Sequence, residues 1–579
     1  MKKITNALLA GYENTKYYHY LEIGEEFPNS IYYDELPTRE VKGVLKANRY
    51  VNGRLLQVYS EHENHVGVIA ATRQGKTTSY VVPTIMSFAN AKNKRSMIIT
   101  DPKGEVYRQT AASLKELGYD VLLLNFRDYE NSECWNPLTP IYRKFHTAYD
   151  LDSEVNHTFQ NNKSQYEFRG KTFENIKDLE YELDLRKSAI LADVSNDIEG
   201  LTLLAAPTEN SKDPFWDNAA RDLFKAFLWA MLEDSIPENI IGTERTLITE
   251  DTYSFKTLIA LTSVLNDRSF TSYDDTKYEC YYFSQRPNTS TARQIADSVI
   301  PVSARTTRSC IFTIFTQKLN TFSEISMRIV TSCNSFDLKE KLISEEPVAI
   351  FINFRDELKV HFKMISLFVQ DAYRILIEDA NDRKDGKRKV PFYFILDEFG
   401  NCPKMTDFET TISACAGRNI FFILIIQSYA QLDNIYGKEV SEIIRDNLNM
   451  HIFFGSNNTP TLKAFSEECG KVTRIAPSSA LNGSAVEMDH YVHETIDLVP
   501  VSALRYFEAG ECIITEANCG YVMYSRLERF YLCKEFNNLP LSDVRTYKGP
   551  VNPFDPRYTY VLKSKKNDDF SSKFGHRIF

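Results

Sequence analysis

A run of nine residues beginning at position 70 has the composition of a phosphate-binding loop. It follows an apolar, strand-like run and leads into a helix-like run, Ser79 to Ala89. The loop residues are Ala70, Ala71, Thr72, Arg73, Gln74, Gly75, Lys76, Thr77 and Thr78. In such loops backbone N–H groups and the helix N-terminus bind phosphate, a lysine reaches the β and γ phosphates, and a hydroxyl ligates Mg²⁺. We therefore predict that the segment binds ATP, with Lys76 on the phosphates and Thr77 on Mg²⁺; a glycine turn without a ligand is the alternative.

Two carboxylates at the end of a hydrophobic run supply the acidic groups that such a loop needs. Asp397 and Glu398 come directly after the run Phe392 to Leu396. One carboxylate beside bound phosphates can hold Mg²⁺ through water, and a second can polarise the attacking water as a general base. We predict the first role for Asp397 and the second for Glu398. Considered alone, the pair is also typical of a solvated strand end.

Two further polar residues flank the next apolar run, Ile420 to Ile426. Gln427 follows the run, where its amide could sense the γ phosphate or position water; satisfying a buried strand end is the alternative. Arg418 precedes the run and could stabilise transition-state charge, in its own subunit or a neighbouring one. A surface arginine remains the alternative for Arg418.

Short Val-, Ile- and Phe-rich runs bounded by turn residues predict the buried parallel strands of an α/β sheet. The predicted strands are Val66 to Ala70, Ser96 to Thr100, Val121 to Asn125, Val348 to Asn353, Phe392 to Leu396, Ile420 to Ile426 and His451 to Phe454. Two later runs, Glu511 to Thr515 and Tyr521 to Tyr524, favour an antiparallel edge. Lys76 and Asp397 are 397 − 76 = 321 residues apart, so a domain-sized segment is inserted in the α/β core. The polar, helix-compatible sequence between about 150 and 330 fits that insert.

Composition excludes several classes of protein. The 579 residues are 43% hydrophobic and 25% charged, which is typical of a globular chain. A net charge of -10 argues against non-specific coating of nucleic acid, because such coating needs many Lys and Arg contacts to phosphate. The ten cysteines lack metal-ligand spacing, and no apolar run approaches the roughly 20 residues of a membrane-spanning helix. We expect a cytoplasmic protein with reduced thiols that is not itself embedded in a membrane.

The motifs, taken together and in order, resemble those of the TraG-like coupling ATPases of conjugation and type IV secretion. The blocks that carry the resemblance are Ala70 to Thr77, Asp101 to Glu105, Trp135 to Leu138, Asp213 to Trp216, Leu396 to Phe399, and Gln427-Ser428 followed by Gln431-Leu432. The resemblance implies a RecA-like P-loop NTPase core with an inserted all-α domain that contacts cargo, and assembly into a homo-hexamer. It also implies a nucleotide site lined by Lys76, Thr77, Asp397, Glu398, Arg418 and Gln427. Two departures are Ala70 in place of a first glycine and the absence of the transmembrane anchor usual before the nucleotide domain.

From these observations we predict an N-terminal extension (1–64), a nucleotide-binding domain in two parts (65–150 and 331–562), an all-α insert (151–330) and a C-terminal tail (563–579). The predicted function is ATP-driven delivery of single-stranded DNA with a relaxase, or of a protein substrate, to a type IV secretion channel. Predicted partners are the channel ATPases and a membrane-anchoring protein that recruits the chain to the inner face of the cell membrane. The alternatives are an ATP-switched docking adaptor without turnover and a double-stranded DNA translocase of the chromosome or phage type.

Overall fold

The computed structural model describes most of the chain, and its contacts divide the chain into two compact units. The described residues are 18–20, 29–71, 74–160, 163–206, 214–243, 245–265, 282–300, 305–320, 322–405, 407–477, 491–517, 522–549, 552 and 554–558. The first unit comprises residues 1–127 and 337–547, and the second comprises residues 128–336 and 548–579. The predicted C-terminal tail lies outside the described residues.

The described strands and helices have the following bounds. The strands are β1 (Tyr18–Tyr20), β2 (Ser30–Tyr32), β3 (Leu45–Val51), β4 (Arg54–Tyr59), β5 (Val66–Ala70), β6 (Ser96–Asp101), β7 (Asp120–Asn125), β8 (Asn156–Gln160), β9 (Lys163–Phe168), β10 (Lys171–Phe173), β11 (Val348–Asn353), β12 (Phe392–Leu396), β13 (Ile420–Ile426), β14 (Met450–Gly455), β15 (Lys471–Pro477), β16 (Tyr491–Asp497), β17 (Glu511–Glu516) and β18 (Val522–Arg526). The α-helices are α1 (Val82–Asn90), α2 (Glu105–Glu116), α3 (Thr139–Tyr149), α4 (Ile176–Ala205), α5 (Phe215–Glu233), α6 (Phe255–Leu265), α7 (Thr291–Val299), α8 (Arg305–Asn320), α9 (Ile325–Val330), α10 (Leu338–Ile343), α11 (Lys359–Asp382), α12 (Phe408–Cys415), α13 (Tyr429–Tyr436), α14 (Lys438–Asn447), α15 (Thr459–Glu468) and α16 (Val501–Leu504).

A ten-stranded sheet forms the centre of the first unit, in the order β1-β18-β17-β14-β5-β13-β12-β6-β11-β7. Every pair from β14 to β7 is parallel. Helices cover both faces of such a sheet, so its strands are apolar along their whole length; β5, β12 and β13 are buried at every residue. The predicted α/β class and mostly parallel sheet are confirmed. The predicted pairing of the strands on either side of the insert, β7 and β11, is also confirmed.

Towards its β1 end the sheet is mixed, because β1 pairs parallel with β18 whereas the next two pairs are antiparallel. β14 pairs antiparallel with β17, and β17 pairs antiparallel with β18, as the two late strand-like runs predict. The first unit also contains a small antiparallel sheet in the order β2-β4-β3 and a hairpin of β15 with β16. These elements lie in the segments predicted as the N-terminal extension and the second part of the nucleotide domain. The predicted domain boundaries themselves stay predictions.

The second unit is mostly helical, but the prediction of an all-α insert is wrong between residues 156 and 173. There β8, β9 and β10 form an antiparallel three-stranded sheet. Arg169 and Gly170 both have positive φ, 49° and 78°, as a two-residue hairpin turn between twisted strands requires. Tyr166 and Phe168 alternate with polar neighbours in β9, and Phe168 is buried in a cluster with Leu179 of α4. This alternation of period two was present in the sequence and indicated a strand.

Burial of a histidine at the amino end of β5 makes the stability of the first unit sensitive to acid. His65 is 1% exposed, and its Nδ1 accepts the Phe422 N–H at 3.0 Å. Burial lowers the pKa of His65 to about 4. In the unfolded chain His65 takes up a proton as the pH falls through 6.5, whereas in the folded chain it does not. The whole contribution of neutral His65 to the free energy of unfolding is therefore present above pH 6.5. It is lost as the pH falls from 6.5 towards about 4.

We expect His65→Gln to remove this acid sensitivity. Between pH 7 and pH 5 the parent should lose about 2 kcal/mol of unfolding free energy through this group, whereas the variant should lose little by this route. Urea unfolding of both proteins at the two pH values measures the difference. His62→Gln, which changes an exposed neighbour, is the matched control and should behave as the parent. Equal slopes in the parent and His65→Gln would contradict the prediction.

Candidate nucleotide-binding site

The predicted phosphate loop connects β5 to a helix, and its shape depends on one glycine. Gly75 has φ +87°, which only glycine adopts without strain, and a Cβ there would lie 3.2 Å from Ser79 Oγ. Lys76–Val81 form a π-helical turn that continues into α1. Ala70, at the usual glycine position, is the last residue of β5. It is not among the described residues that have a positive φ. Alanine therefore meets the backbone requirement there; Thr72 and Arg73 lie outside the described residues.

Lys76 joins this loop to the carboxylates after β12. Its Nζ lies 2.5 Å from Asp397 Oδ1 and 2.9 Å from Glu398 Oε1, and the three side chains are between 12% and 18% exposed. Burial alone would lower the pKa of Lys76, but the two carboxylates outweigh it and hold that pKa above its usual value. Burial raises the pKa of Asp397, although the ammonium of Lys76 opposes the shift. The structure thus brings the loop lysine and the predicted acidic pair into direct contact.

Glu398 is held in an uncommon backbone conformation. Its φ and ψ are 57° and 32°, in the left-handed region, and its N–H donates to Asp397 Oδ1 at 2.9 Å. Gln427 Nε2 and Asn401 Nδ2 both donate to Glu398 Oε2 at 3.2 Å. A residue that persists in this region is kept there by its surroundings, and such residues concentrate at functional sites. The two carboxylate oxygens of Glu398 therefore face different partners.

Gln427 is fixed by its own neighbours at the end of β13. Its N–H donates to Gln431 Oε1 at 2.8 Å, and its C=O accepts the Ser456 hydroxyl at 3.1 Å. Gly400 leaves room for Gln431, because a Cβ on Gly400 would lie 2.5 Å from Gln431 Oε1. Since β5, β13 and β12 are adjacent and parallel, their carboxyl ends meet at one edge of the sheet. That edge positions Lys76, Gln427 and the acidic pair together.

Arg418 is not at this edge. It precedes β13, and its guanidinium donates to Asn381 Oδ1 at 3.1 Å and to the Ala414 C=O at 2.8 Å. The seven residues of β13 separate it from Gln427, a span of roughly 20 Å. Arg418 therefore does not reach Lys76 of its own chain, and the expectation that it lines its own subunit's site is corrected. The predicted role of Arg418 towards a neighbouring chain stays a prediction.

A cavity of about 480 Å³ opens beside the loop. It is lined by Ala70, Gly75, Lys76, Thr77, Thr78, Lys103, Glu105, Glu398, Gln427, Arg529 and Tyr531. Lys103 and Glu105 follow β6, so the parallel order of the sheet could have identified them. Arg529 and Tyr531 come from the segment after β18, and no motif or spacing marks them.

Two features of the described part of the chain bear on the other expectations. No group of three or more His, Cys, Asp or Glu side chains suited to a metal ion occurs there. Mg²⁺ commonly takes one or two protein ligands and completes its shell with phosphate and water. Within the same residues, no helix combines the length and the apolar character needed to cross a membrane.

A comparison with family models decides which family this is. Residues 32–488 match the model described as type IV secretory system conjugative DNA transfer. The chain belongs to this family. Membership in the conjugative DNA transfer family confirms the resemblance that the ordered motifs indicated.

Relatives in the conjugative DNA transfer family are distant in sequence. The chain is 22% identical over 429 residues to protein VirD4 of Agrobacterium fabrum, covering 74% of this chain and 52% of VirD4. It is 23% identical over 430 residues to conjugal transfer protein TraG of Escherichia coli, covering 72% of this chain and 57% of TraG. The chain therefore spans little more than half the length of these relatives.

Solved structures of a conjugative coupling protein share the fold. TrwBΔN70 aligns with a TM-score of 0.55 and 14% identity, covering 92% of this chain and 98% of that one. TrwB in complex with the ATP analogue ADPNP aligns with a TM-score of 0.53 and 13% identity, covering 94% and 99%. At these identities the likeness establishes the fold, which is a RecA-like P-loop NTPase core.

The ion pairs of Lys76 with Asp397 and Glu398 should contribute to the stability of the folded chain. We expect Lys76→Ala to lower the unfolding free energy at pH 7 by about 1–3 kcal/mol, because it leaves two carboxylates together without a cation. The loss should shrink as the pH is lowered, because burial raises the pKa of Asp397 and its protonation relieves the repulsion. Chemical denaturation without nucleotide measures both values. Lys103→Ala is the control, since within the described residues Lys103 lines the same cavity without an ion pair; an equal loss in both variants would contradict the prediction.

Proposed function

We propose that this chain is a coupling ATPase that binds ATP and Mg²⁺ and uses hydrolysis to deliver a substrate to a type IV secretion channel. The observation that carries the proposal is the contact of Lys76 with Asp397 and Glu398 beside the Gly75 turn. Lys76 lies 321 positions from Asp397 and 322 from Glu398 in sequence, and the fold brings it to within hydrogen-bonding distance of both. Family membership supports the part of the proposal that concerns substrate delivery. The contacts at the site support the part that concerns ATP binding and hydrolysis.

The residues at the cavity fit a nucleoside triphosphate with Mg²⁺. A volume of about 480 Å³ is within the usual range for small-molecule pockets. Backbone groups of the loop from Ala70 to Thr78 and the ammonium of Lys76 would hold the phosphates, while the hydroxyl of Thr77 and the carboxylate of Asp397 would hold Mg²⁺. Phosphate oxygens would then replace the carboxylates as partners of Lys76. TrwB, a structural relative, has been solved with ADPNP and with ADP and Mg²⁺.

Glu398 is the proposed general base. Its Oε2 is held by Gln427 and Asn401, so the carboxylate has a fixed orientation while its Oε1 contacts Lys76. Binding of phosphate by Lys76 would free Oε1 to accept a proton from water. Gln427 is the proposed positioning residue for Glu398 and for the attacking water.

The proposed assembly is a homo-hexamer in which Arg418 of one subunit completes the site of the next. The proposed substrate is single-stranded DNA with a relaxase, or a protein, recognised by the inserted segment 151–330. The proposed partners are the channel ATPases and a membrane-anchoring protein that holds the chain at the inner face of the cell membrane. Support comes from family membership and from the position of Arg418 away from its own site.

We expect Glu398→Gln to keep ATP affinity and to lower kcat at least about 100-fold, because a general base acts in the transition state. Glutamine preserves the size of the side chain and its acceptor oxygen for Lys76. Calorimetry measures affinity, and steady-state hydrolysis with and without single-stranded DNA measures turnover. Glu105→Gln is the matched control, since Glu105 lines the same cavity outside the acidic pair.

The same assays distinguish the alternative functions. A variant that retains more than a tenth of the parental kcat would contradict the role of Glu398. Negligible turnover in the parent at every DNA concentration would favour the docking adaptor. Stimulation by double-stranded but not by single-stranded DNA would favour the duplex translocase.

We expect an equal mixture of Arg418→Ala and Glu398→Gln chains to regain activity that neither has alone. An interface between an Arg418→Ala site and a Glu398→Gln neighbour contains both wild-type groups, and about a quarter of the interfaces in a mixed ring are of this kind. Specific activity of the parent should also rise with protein concentration. No recovery in a mixture whose mixed assembly is verified by native mass spectrometry would contradict the shared site.

A further inference from the structure

The nucleotide cavity has a wall to which the proposed chemistry assigns no role. Gly75, Lys76, Thr77 and Thr78 line the part of it that would hold the phosphates. Arg529 and Tyr531 line the same cavity and come from the segment that follows β18. A cavity with a phosphate side and a separate aromatic wall has the form expected of a site for a whole nucleotide.

The segment is fixed to the body of the first unit before this wall and within it. Phe530, between the two lining residues, is 7% exposed and packs in a cluster with Val82 and Met86 of α1. The Leu527 N–H donates to the Gly510 C=O at 2.8 Å, and the Glu528 N–H donates to Asn48 Oδ1 at 3.1 Å. Phe530 therefore anchors the wall to the helix that begins at the phosphate loop.

Tyr531 presents an available aromatic ring. Tyr531 lines the cavity, and 43% of the residue is exposed. The ring packs edge-on against Phe530 with centroids 5.5 Å apart, and its hydroxyl accepts a hydrogen bond from Arg529 at 2.7 Å. These contacts, together with the Arg529 guanidinium 6.0 Å from the ring centroid, restrict the ring and leave part of its surface open. A restrained aromatic ring at a nucleotide cavity is suited to stack on a base.

We propose that Tyr531 is the base-stacking residue of this site, which makes the segment after β18 the nucleoside-binding wall. The inference rests on the proposed function, because it assigns the remaining part of the same nucleotide. Stacking uses the π face that every base has, so the ring contributes to binding of both ATP and GTP. The phosphates would be held by Lys76 and the loop at Gly75, and their binding does not depend on the ring.

The test compares three ligands, Mg-ATP, Mg-GTP and Mg-tripolyphosphate, by calorimetry on the full chain. Tyr531→Ala should weaken ATP and GTP binding about five- to 100-fold and leave tripolyphosphate binding within about twofold of the parent. Tyr531→Phe keeps the ring and should stay within about threefold for all three ligands. Leu532→Ala, which changes the more exposed adjacent residue outside the cavity lining, is the control.

Lys76→Ala separates this inference from the proposed function. It should weaken all three ligands, because it removes a phosphate contact. If Lys76→Ala has that effect and Tyr531→Ala binds ATP as the parent does, the stacking role is overturned and the nucleotide site stands. Equal losses of ATP and tripolyphosphate in Tyr531→Ala also overturn it. If the parent binds none of the ligands, the proposed function fails together with the inference.

Discussion

The ion pairs of Lys76 with Asp397 and Glu398 are the interaction on which the candidate site depends. They join the turn after β5 to the turn after β12, two segments that are separated along the chain by residues 128–336 of the second unit. At this depth the ammonium of Lys76 offsets the repulsion between the two carboxylates, so its removal would leave both charges uncompensated. The same ammonium could bind a polyphosphate, because phosphate oxygens can replace the carboxylates as its partners.

The parallel sheet is what makes this contact possible. In parallel strands the carboxyl ends lie at one edge, and β5, β13 and β12 are adjacent there. Each strand end then contributes one kind of group: a cation, an amide and an acidic pair. Ligands of open α/β sheets bind outside these carboxyl ends. The uncommon backbone of Glu398 and the close approach of Gly400 to Gln431 maintain the orientation of these groups.

The large insertion is compatible with this arrangement because it enters and leaves the first unit between β7 and β11. These two strands pair with each other at the edge of the sheet remote from β18. Residues 128–336 can therefore form a separate compact unit without interrupting the strands that carry the site. Every residue assigned to the site belongs to the first unit.

The sequence alone determined the parallel strands of the central sheet, the glycine turn before Lys76 and the acidic pair, since each depends on a local pattern. An apolar run must be buried, and a glycine before Lys76 permits the turn that Gly75 makes. Sequence patterns also held the hairpin at Arg169 and Gly170, which was missed because the surrounding sequence is polar and compatible with helix. Local signals of this kind can be found without knowing which segments meet.

Only the tertiary structure decided whether each polar residue lies at the amino or the carboxyl ends of the strands. It also decided which distant segments share the cavity. Arg418 is nine residues from Gln427 in sequence. It nevertheless lies at the amino end of β13, whereas Gln427 lies at the carboxyl end, because the extended strand separates them. Arg529 and Tyr531 carry no motif, and they reach the cavity through the packing of Phe530 on α1. Such contacts depend on how elements pack across hundreds of residues, whereas motifs record only the chemistry of one segment.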